Sequence, residues 1–280
     1  HAHDQKSAID FDSIIQADAF SIDHAEKFGQ LIIQDAGGRM KPANTFSSEL
    51  LRKVSKSDTY NGLNSDQVLL SIMNNPAVWY NVPMIFLKRG NDSLRKLTGQ
   101  GIKEKYAPLL SFFDSQGNYK LAPQLEAAYR ASVPNQFQKD FIELDRRVNL
   151  LYSALEGKIM RIFPLPNDEN NKWVSFPELN EANFTGKDSL YVRNILPLYF
   201  QSLRLAQQDK DYDQANDLLE SIYGFQKKFG SEVLPSEDRV KAEITYNKYD
   251  IFKKLYSWYI YAGTLFFIVL LIQIFKSNKV

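Results

Sequence analysis

The side chains able to do chemistry are few in this chain. It has three histidines, His1, His3 and His24, and no two stand at the spacing of metal ligands on one helix. His3 could chelate copper together with a free amino group on His1. His24 sits beside an apolar patch, which suits a surface or capping residue, or a ligand to a metal, haem iron included. There is no cysteine, so structural disulfides, thiolate nucleophiles and cysteine-ligated zinc or iron–sulfur sites are excluded. No Gly-x-Ser-x-Gly elbow, P-loop or dinucleotide fingerprint is present, and GQGIKEKY lacks the lysine spacing of a phosphate loop. The adjacent acids Glu237 and Asp238 suit the dipole at a helix start better than catalysis. A self-contained active site is therefore not expected, and no catalytic or metal-binding residue is assigned.

The cations are more suggestive. In QLIIQDAGGRMKPANTFSSELLRKV, Gln30 to Val54, an apolar run ends in Gly37-Gly38, and Arg39, Lys41 and Pro42 follow. One reading is structural: the glycines make the turn, and the cations face water or pair with Asp35 and Glu49. The other is a docking point for carboxylates, which arginine can hold with two parallel hydrogen bonds. Arg146 and Arg147 are second candidates. Their structural alternative is salt bridging to Glu143 or Asp145 on the same helix.

The elements that must carry these residues read as mainly helical. Residues 1–20 are polar and acidic and look like a flexible lead-in. Ser21 caps a short helix over IDHAEKF, and QLIIQD is a short strand. Thr45 is the expected N-cap of FSSELLRKV, and Asn64 or Ser65 that of NSDQVLLSIMNN, which Pro76 stops. VPMIFLKR fits strand or helix. SLRKLTG, APLLSFFDS and PQLEAAYRAS read as short helical pieces. In DFIELDRRVNLLYSALEG the residues Phe141, Leu144, Val148, Leu151, Tyr152 and Leu155 recur at three and four, and Gly157 ends the helix. KIMRIFPLPNDENNKWVSF reads as a small hairpin. Three longer helices follow, over about Leu190–Gln208 with a kink at Pro197, over Tyr212–Phe229, and from Pro235-Ser236 onward. DKDYDQANDLLESI resembles a single tetratricopeptide unit without a second copy.

From Leu255 to Phe275, LYSWYIYAGTLFFIVLLIQIF carries no charge, and it is long enough to cross a hydrocarbon core of about 30 Å. Tyr256, Trp258, Tyr259 and Tyr261 at its start suit a membrane-interface belt. With no breaker in view, one helix could run from Ser236 to Phe275, about 60 Å at 1.5 Å per residue. Lysines flank both ends, so charge does not orient the span. The chain, 280 residues with net charge +1, gives no basic excess to suggest a nucleic-acid partner. The predicted fold class is mainly α: a lead-in over 1–20 and a mostly helical domain over 21–254. One or two small β-hairpins and a possible subdivision near 157 belong to that domain. A C-terminal transmembrane helix over 255–275 and a short basic tail over 276–280 complete it. Because the chain starts at His1, it is expected to be a fragment or a processed form.

An ordered set of segments carries a family resemblance. HAEKFGQLIIQDAGGRMKPANTFSSELLRKVS, YNGLNSDQVLLSI, DRRVNLLYSALEGKIMRIFPLP, NKW and LPSEDRVKAEITYNKYDIFKKL together resemble one region of the fused System II cytochrome c biogenesis proteins of Bacteroidetes. These join a ResB-like half to a CcsA-like half, and the matching region precedes the latter. The similarity runs from about Ser21 to the end. It implies an inner-membrane machine that moves haem outward and promotes its attachment to apocytochrome c. It also implies a periplasmic location for the soluble part, and as partners the remaining ResB- and CcsA-like parts, apocytochrome c and the lipid bilayer. Arg39, Lys41, Arg146 and Arg147 become candidates for haem-propionate or partner docking, and His24 a possible ligand. Haem is implied for the parent protein only. The tryptophan-rich haem-handling motif of the CcsA half is missing, since Trp79, Trp173 and Trp258 are isolated. Asp-Ser-Ile at Asp12 and Asp-Ser-Leu at Asp92 and Asp188 resemble the O-glycosylation acceptor of exported proteins of that phylum.

Overall fold

Polar caps and apolar stripes build most of the chain into helices. The computed structural model describes residues 10–277, so His1 and His3 lie outside the described residues. The chain divides into two units, one running through Ser236 and one from Glu237 onward.

In the first unit, helix α1 (Phe11–Ala17) begins where the Asp10 carboxylate accepts from the Ser13 amide. Its Ile15 and the following Phe20 are buried, so these two side chains pin an otherwise mostly exposed helical stretch to the core, where the sequence suggested a flexible lead-in. Helix α2 (Ile22–Phe28) is capped by Ser21 as expected. Strands β1 (Ile32–Gln34) and β2 (Met40–Pro42) pair antiparallel around a turn in which Gly38 has φ +82°. Helix α3 (Ala43–Ser55) starts directly after Pro42. Thr45 is therefore not its N-cap but a buried first-turn residue. No side-chain cap is needed, because the Ala43 and Asn44 amides donate to the carbonyls of Leu31 and Gly29, at 2.7 and 2.8 Å.

Strands β3 (Thr59–Tyr60) and β4 (Leu63–Asn64) form a second hairpin. Helix α4 (Ser65–Asn74) follows, closed by a reciprocal capping box between Asn64 and Gln67. Pro76 ends it and opens the short helix α5 (Pro76–Trp79). Strand β5 (Ile85–Phe86) pairs with β6 (Tyr106–Ala107), and helix α6 (Asp92–Thr98) lies between them in sequence. After a 3₁₀ turn at Leu109–Phe112, helix α7 (Ala122–Arg130) packs on the central helix α8 (Gln136–Leu155). The expected stripe of α8 is buried except for Tyr152, which is 38% exposed. Strands β7 (Phe163–Pro164) and β8 (Trp173–Val174) make the anticipated hairpin. A second 3₁₀ turn at Phe176–Asn180 leads to α9 (Gly186–Asp209) and α10 (Asp213–Gly230). Pro197 lies inside α9. The described residues thus hold four two-stranded antiparallel sheets, three of them hairpins and the β5–β6 pair closing around α6, where the sequence suggested one or two hairpins.

The core is one cluster in which α3 packs on α4 and α8, α2 on α4 and α10, and α9 on α10. It continues across residue 157, drawing on α8 before it and α9 and α10 after it. Two buried glutamines stitch the hairpins to this core. Gln226 of α10 accepts from the Ile32 amide and donates to the carbonyls of Ile32 and Ile162. Gln34 accepts from the Trp173 amide and donates to the Asn171 carbonyl. Each supplies the amide donor and acceptor that a neighbouring strand would otherwise offer.

The second unit is helix α11 (Glu237–Tyr249) and helix α12 (Ile251–Ser277). The expected unbroken run from Ser236 does not occur. Asp250 between them takes φ +43°, a left-handed conformation that interrupts a right-handed helix and that Asp tolerates better than most residues. Within α12, Lys254–Lys276 is long and apolar enough to cross a membrane. At 1.5 Å per residue its 23 residues span about 35 Å.

Candidate functional site

The first unit has an open polar cleft of about 700 Å³ between the start of α2 and the α9–α10 connection. Ser21, His24 and Lys27 line one side, and Lys210, Tyr212 and Asn216 the other. Helix periodicity sets His24 and Lys27 one turn apart, and the left-handed Lys210 ends α9 so that Tyr212 turns back over α2. The Ser21 amide donates to the Tyr212 hydroxyl at 3.1 Å, and the Tyr212 ring lies 5.1 Å from that of His24.

His24 itself is not a surface residue, being 1% exposed. Its Nδ1 is 2.9 Å from Asn216 Oδ1, and its Nε2 is 2.8 Å from the hydroxyl of the fully buried Tyr199. An amide oxygen only accepts, so Nδ1 carries the proton and Nε2 accepts from Tyr199. Burial pushes the His24 pKa below its ordinary 6.5, and nearby Lys27 adds to this against the opposing hydrogen bond of Asn216. The ring is neutral, and both nitrogens are engaged. It therefore does not fit as an axial ligand to haem or as a metal ligand, because neither nitrogen offers a free lone pair. Among the described residues no group of three or more His, Asp and Glu side chains could hold a metal.

The cationic turn splits into two different residues. Asp35 Oδ1 accepts from the amides of Gly37 and Arg39, which fixes the turn and leaves the Arg39 side chain exposed at its tip. Lys41, two residues on, points inward. It is 5% exposed, 3.2 Å from Glu49 and 3.8 Å from Asp35, and lies over the Phe46 ring. Burial works against ionising Glu49, but Lys41 and Lys53 beside it hold its carboxyl below the usual range. So Lys41 is not a bare cation; Glu49 and Asp35 hold its ammonium group over the Phe46 ring.

The second pair divides the same way. Arg147 is buried, pairs with Glu143 at 3.2 Å, donates to the Phe86 carbonyl and lies over the Phe86 ring. Arg146 faces solvent and pairs with neither Glu143 nor Asp145. Asp145 instead accepts from the hydroxyls of Tyr119 and Tyr129, at 3.0 and 3.2 Å. Arg39 and Arg146 are thus the two exposed cations of the four.

Tyr256, Trp258, Tyr259 and Tyr261 are all well exposed near the start of the apolar stretch of α12. Beside the last turn of α8, an apolar groove of about 200 Å³ is lined by Met73, Met160, Phe176, Pro197 and Phe200. Tyr199 and Asn216 were not legible as partners of His24, because they lie 175 and 192 residues away.

These features define a class: a mainly helical unit with an open polar cleft and a neutral buried histidine, followed by a helix of membrane-spanning length. No protein-family profile matches the chain. Over 250 residues it is 32% identical to Protein NrfI of Wolinella succinogenes. The match takes in 87% of this chain and 26% of NrfI, so the chain spans about a quarter of that relative's length.

Proposed function

We propose that this chain is a membrane-anchored, periplasmic scaffold segment of a System II cytochrome c assembly protein of the fused ResB/CcsA type. In this role it supports haem export and haem attachment to apocytochrome c, while the haem-handling groups reside in other parts of the machine. The observation that carries the reading is the extended similarity to NrfI, which supports a part in cytochrome c biogenesis at family level. The span-length helix of α12 and its aromatic start support an inner-membrane anchor. The segment's own contribution is a folded surface, with exposed Arg39 and Arg146 as docking points for carboxylates of haem or of a partner.

Haem staining of c-type cytochromes in cells deleted for the gene tests the reading. Loss of stained cytochromes, restored by the wild-type gene, is expected. Unchanged cytochromes would overturn it and favour a structural domain of another inner-membrane complex. The docking role needs its own variant. Arg39→Glu should reduce staining several-fold with the protein level intact, since its side chain stands outside the core. Lys41→Ala cannot serve, because Lys41 is a buried side chain that pairs with Glu49 and Asp35 and lies over the Phe46 ring, so its loss disturbs the fold as well as any docking.

A further inference from the structure

Residues 88–105, KRGNDSLRKLTGQGIKEK, hold six cations, Lys88, Arg89, Arg95, Lys96, Lys103 and Lys105, against two carboxylates, Asp92 and Glu104. That is a net +4 in a chain whose total is +1. The segment is α6 with the connections that tie it to β5 and β6, and the Leu87 amide donating to the Lys105 carbonyl at 2.8 Å brings its two ends together. Lys88 is committed to Asp140 at 2.7 Å. Arg89, Lys96, Lys103 and Lys105 have no carboxylate within ion-pair distance among the described residues, and all but Lys96 stand on exposed turns and loops.

The tip of this lobe is built rather than loose. The Glu104 amide donates to the Gly101 carbonyl at 3.1 Å, a turn that puts Ile102 and Lys103 at its centre. Arg95 is 4% exposed and donates to the carbonyls of both Gly101 and Glu104, the two residues that bracket the tip. A buried guanidinium thus holds a turn whose apex is an isoleucine 81% exposed to solvent. An isolated exposed isoleucine needs no explanation. One fixed at a turn apex, next to unpaired lysines, matches what an acidic, partly apolar surface would take.

We propose that this lobe docks on the headgroup layer of an anionic phospholipid bilayer, with Ile102 inserted among the acyl-chain ends and Arg89, Lys103 and Lys105 on the phosphates. Lysine stems reach past an inserted side chain while their ammonium groups stay at the headgroups. The inference rests on the reading of α12 as a membrane span. A membrane-spanning α12 would confine the chain to a bilayer, and the lobe's effective concentration there would let a weak surface contact be populated without high affinity.

The chain has no cysteine, so Ile102→Cys gives a single attachment point for a polarity-sensitive fluorophore on the full chain. The labelled protein is reconstituted into vesicles of phosphatidylcholine alone or mixed equally with phosphatidylglycerol. In the anionic vesicles the emission should shift to the blue and be quenched by lipids carrying a spin label on the acyl chain. Raised salt should reverse both changes. Arg89→Glu, Lys103→Glu and Lys105→Glu together should lower the docking constant on the order of a hundredfold or more. These side chains are exposed, so an unchanged near-ultraviolet circular dichroism spectrum is expected to show that the fold survives. An aqueous emission spectrum in both vesicles, with the protein resisting an alkaline carbonate wash, would overturn the docking while leaving the span intact. Shielding of equal size in neutral vesicles, or only after an acidic protein is added, would overturn it as well. Release by the carbonate wash would instead remove the span reading on which the proposal rests.

Discussion

At the residue scale the informative side chain is His24, and its role is set by geometry rather than by its type. Its neutral form is fixed by Tyr199 on one side and Asn216 on the other. Its folded pKa lies below 6.5, so the unfolded chain binds the extra proton first as pH falls. The stability conferred by the neutral ring is therefore complete above about pH 6.5 and is lost as pH falls toward the folded pKa. Thermal unfolding in detergent micelles should show the melting temperature dropping from about pH 8 to about pH 5.5. His24→Gln should be less stable at neutral pH, by about 1–3 kcal/mol from disturbed buried hydrogen bonds, but with a flatter pH profile over the same interval. An equally steep profile in the variant would place the titrating group elsewhere. The sequence showed His24 on a helix capped by Ser21, and the cap is as expected. Its burial was not legible, because both partners come from helices that only the tertiary fold brings near. The same limit applied to Lys41. A strand of three residues is too short for alternation to announce which way a lysine points.

Single elements were legible in proportion to their length. The stripe of α8 stands out because five of its six apolar positions recur over several turns and are buried in the folded chain. The two-residue strands β3 to β6 were barely visible, since their hydrogen bonds are made to partners rather than along the strand. The start of α3 was misplaced by three residues, from Thr45 to Pro42 as the N-cap, because backbone carbonyls of Leu31 and Gly29 do the work usually left to a capping side chain. The break at Asp250 had no glycine or proline to mark it. Gln226 shows the energetic side of this. It is fully buried on the core face of α10, where a periodicity argument asks for an apolar residue. Replacing it by leucine would fit the pattern yet strand the Ile32 amide and the carbonyls of Ile32 and Ile162. At about 1–3 kcal/mol for each unsatisfied group, Gln226→Leu should destabilise the first unit by roughly 3 kcal/mol or more. Loosening should begin at β1 and the β7–β8 hairpin. Hydrogen exchange would then speed up at the Ile32 and Trp173 amides before those of α3 and α4. Unchanged exchange at these two amides would mean that water or repacking replaces the glutamine.

For the whole molecule, the decisive balance is whether α12 prefers hydrocarbon to water. Twelve Leu, Ile, Val and Phe residues lie between Leu255 and Phe275, and each favours insertion by about 0.3–0.6 kcal/mol at the helix centre, roughly 4–7 kcal/mol in all. Thr264 reduces its own burden by donating to the Ile260 carbonyl at 2.8 Å. One arginine at the centre costs about 2.5–3.5 kcal/mol, which this reserve can absorb. Two such charges, at about 5–7 kcal/mol, match or exceed it. Leu265→Arg alone should therefore leave most of the protein resistant to carbonate extraction, whereas Leu265→Arg with Ile268→Arg should release most of it. Both positions are exposed on α12, so neither substitution disturbs packing inside the helix pair. If the double variant stays with the membrane and the wild-type protein does too, the chain is held by something other than this helix. If even the wild-type protein is extracted, the aromatic residues from Tyr256 to Tyr261 form no interface belt, and the helix has some other partner.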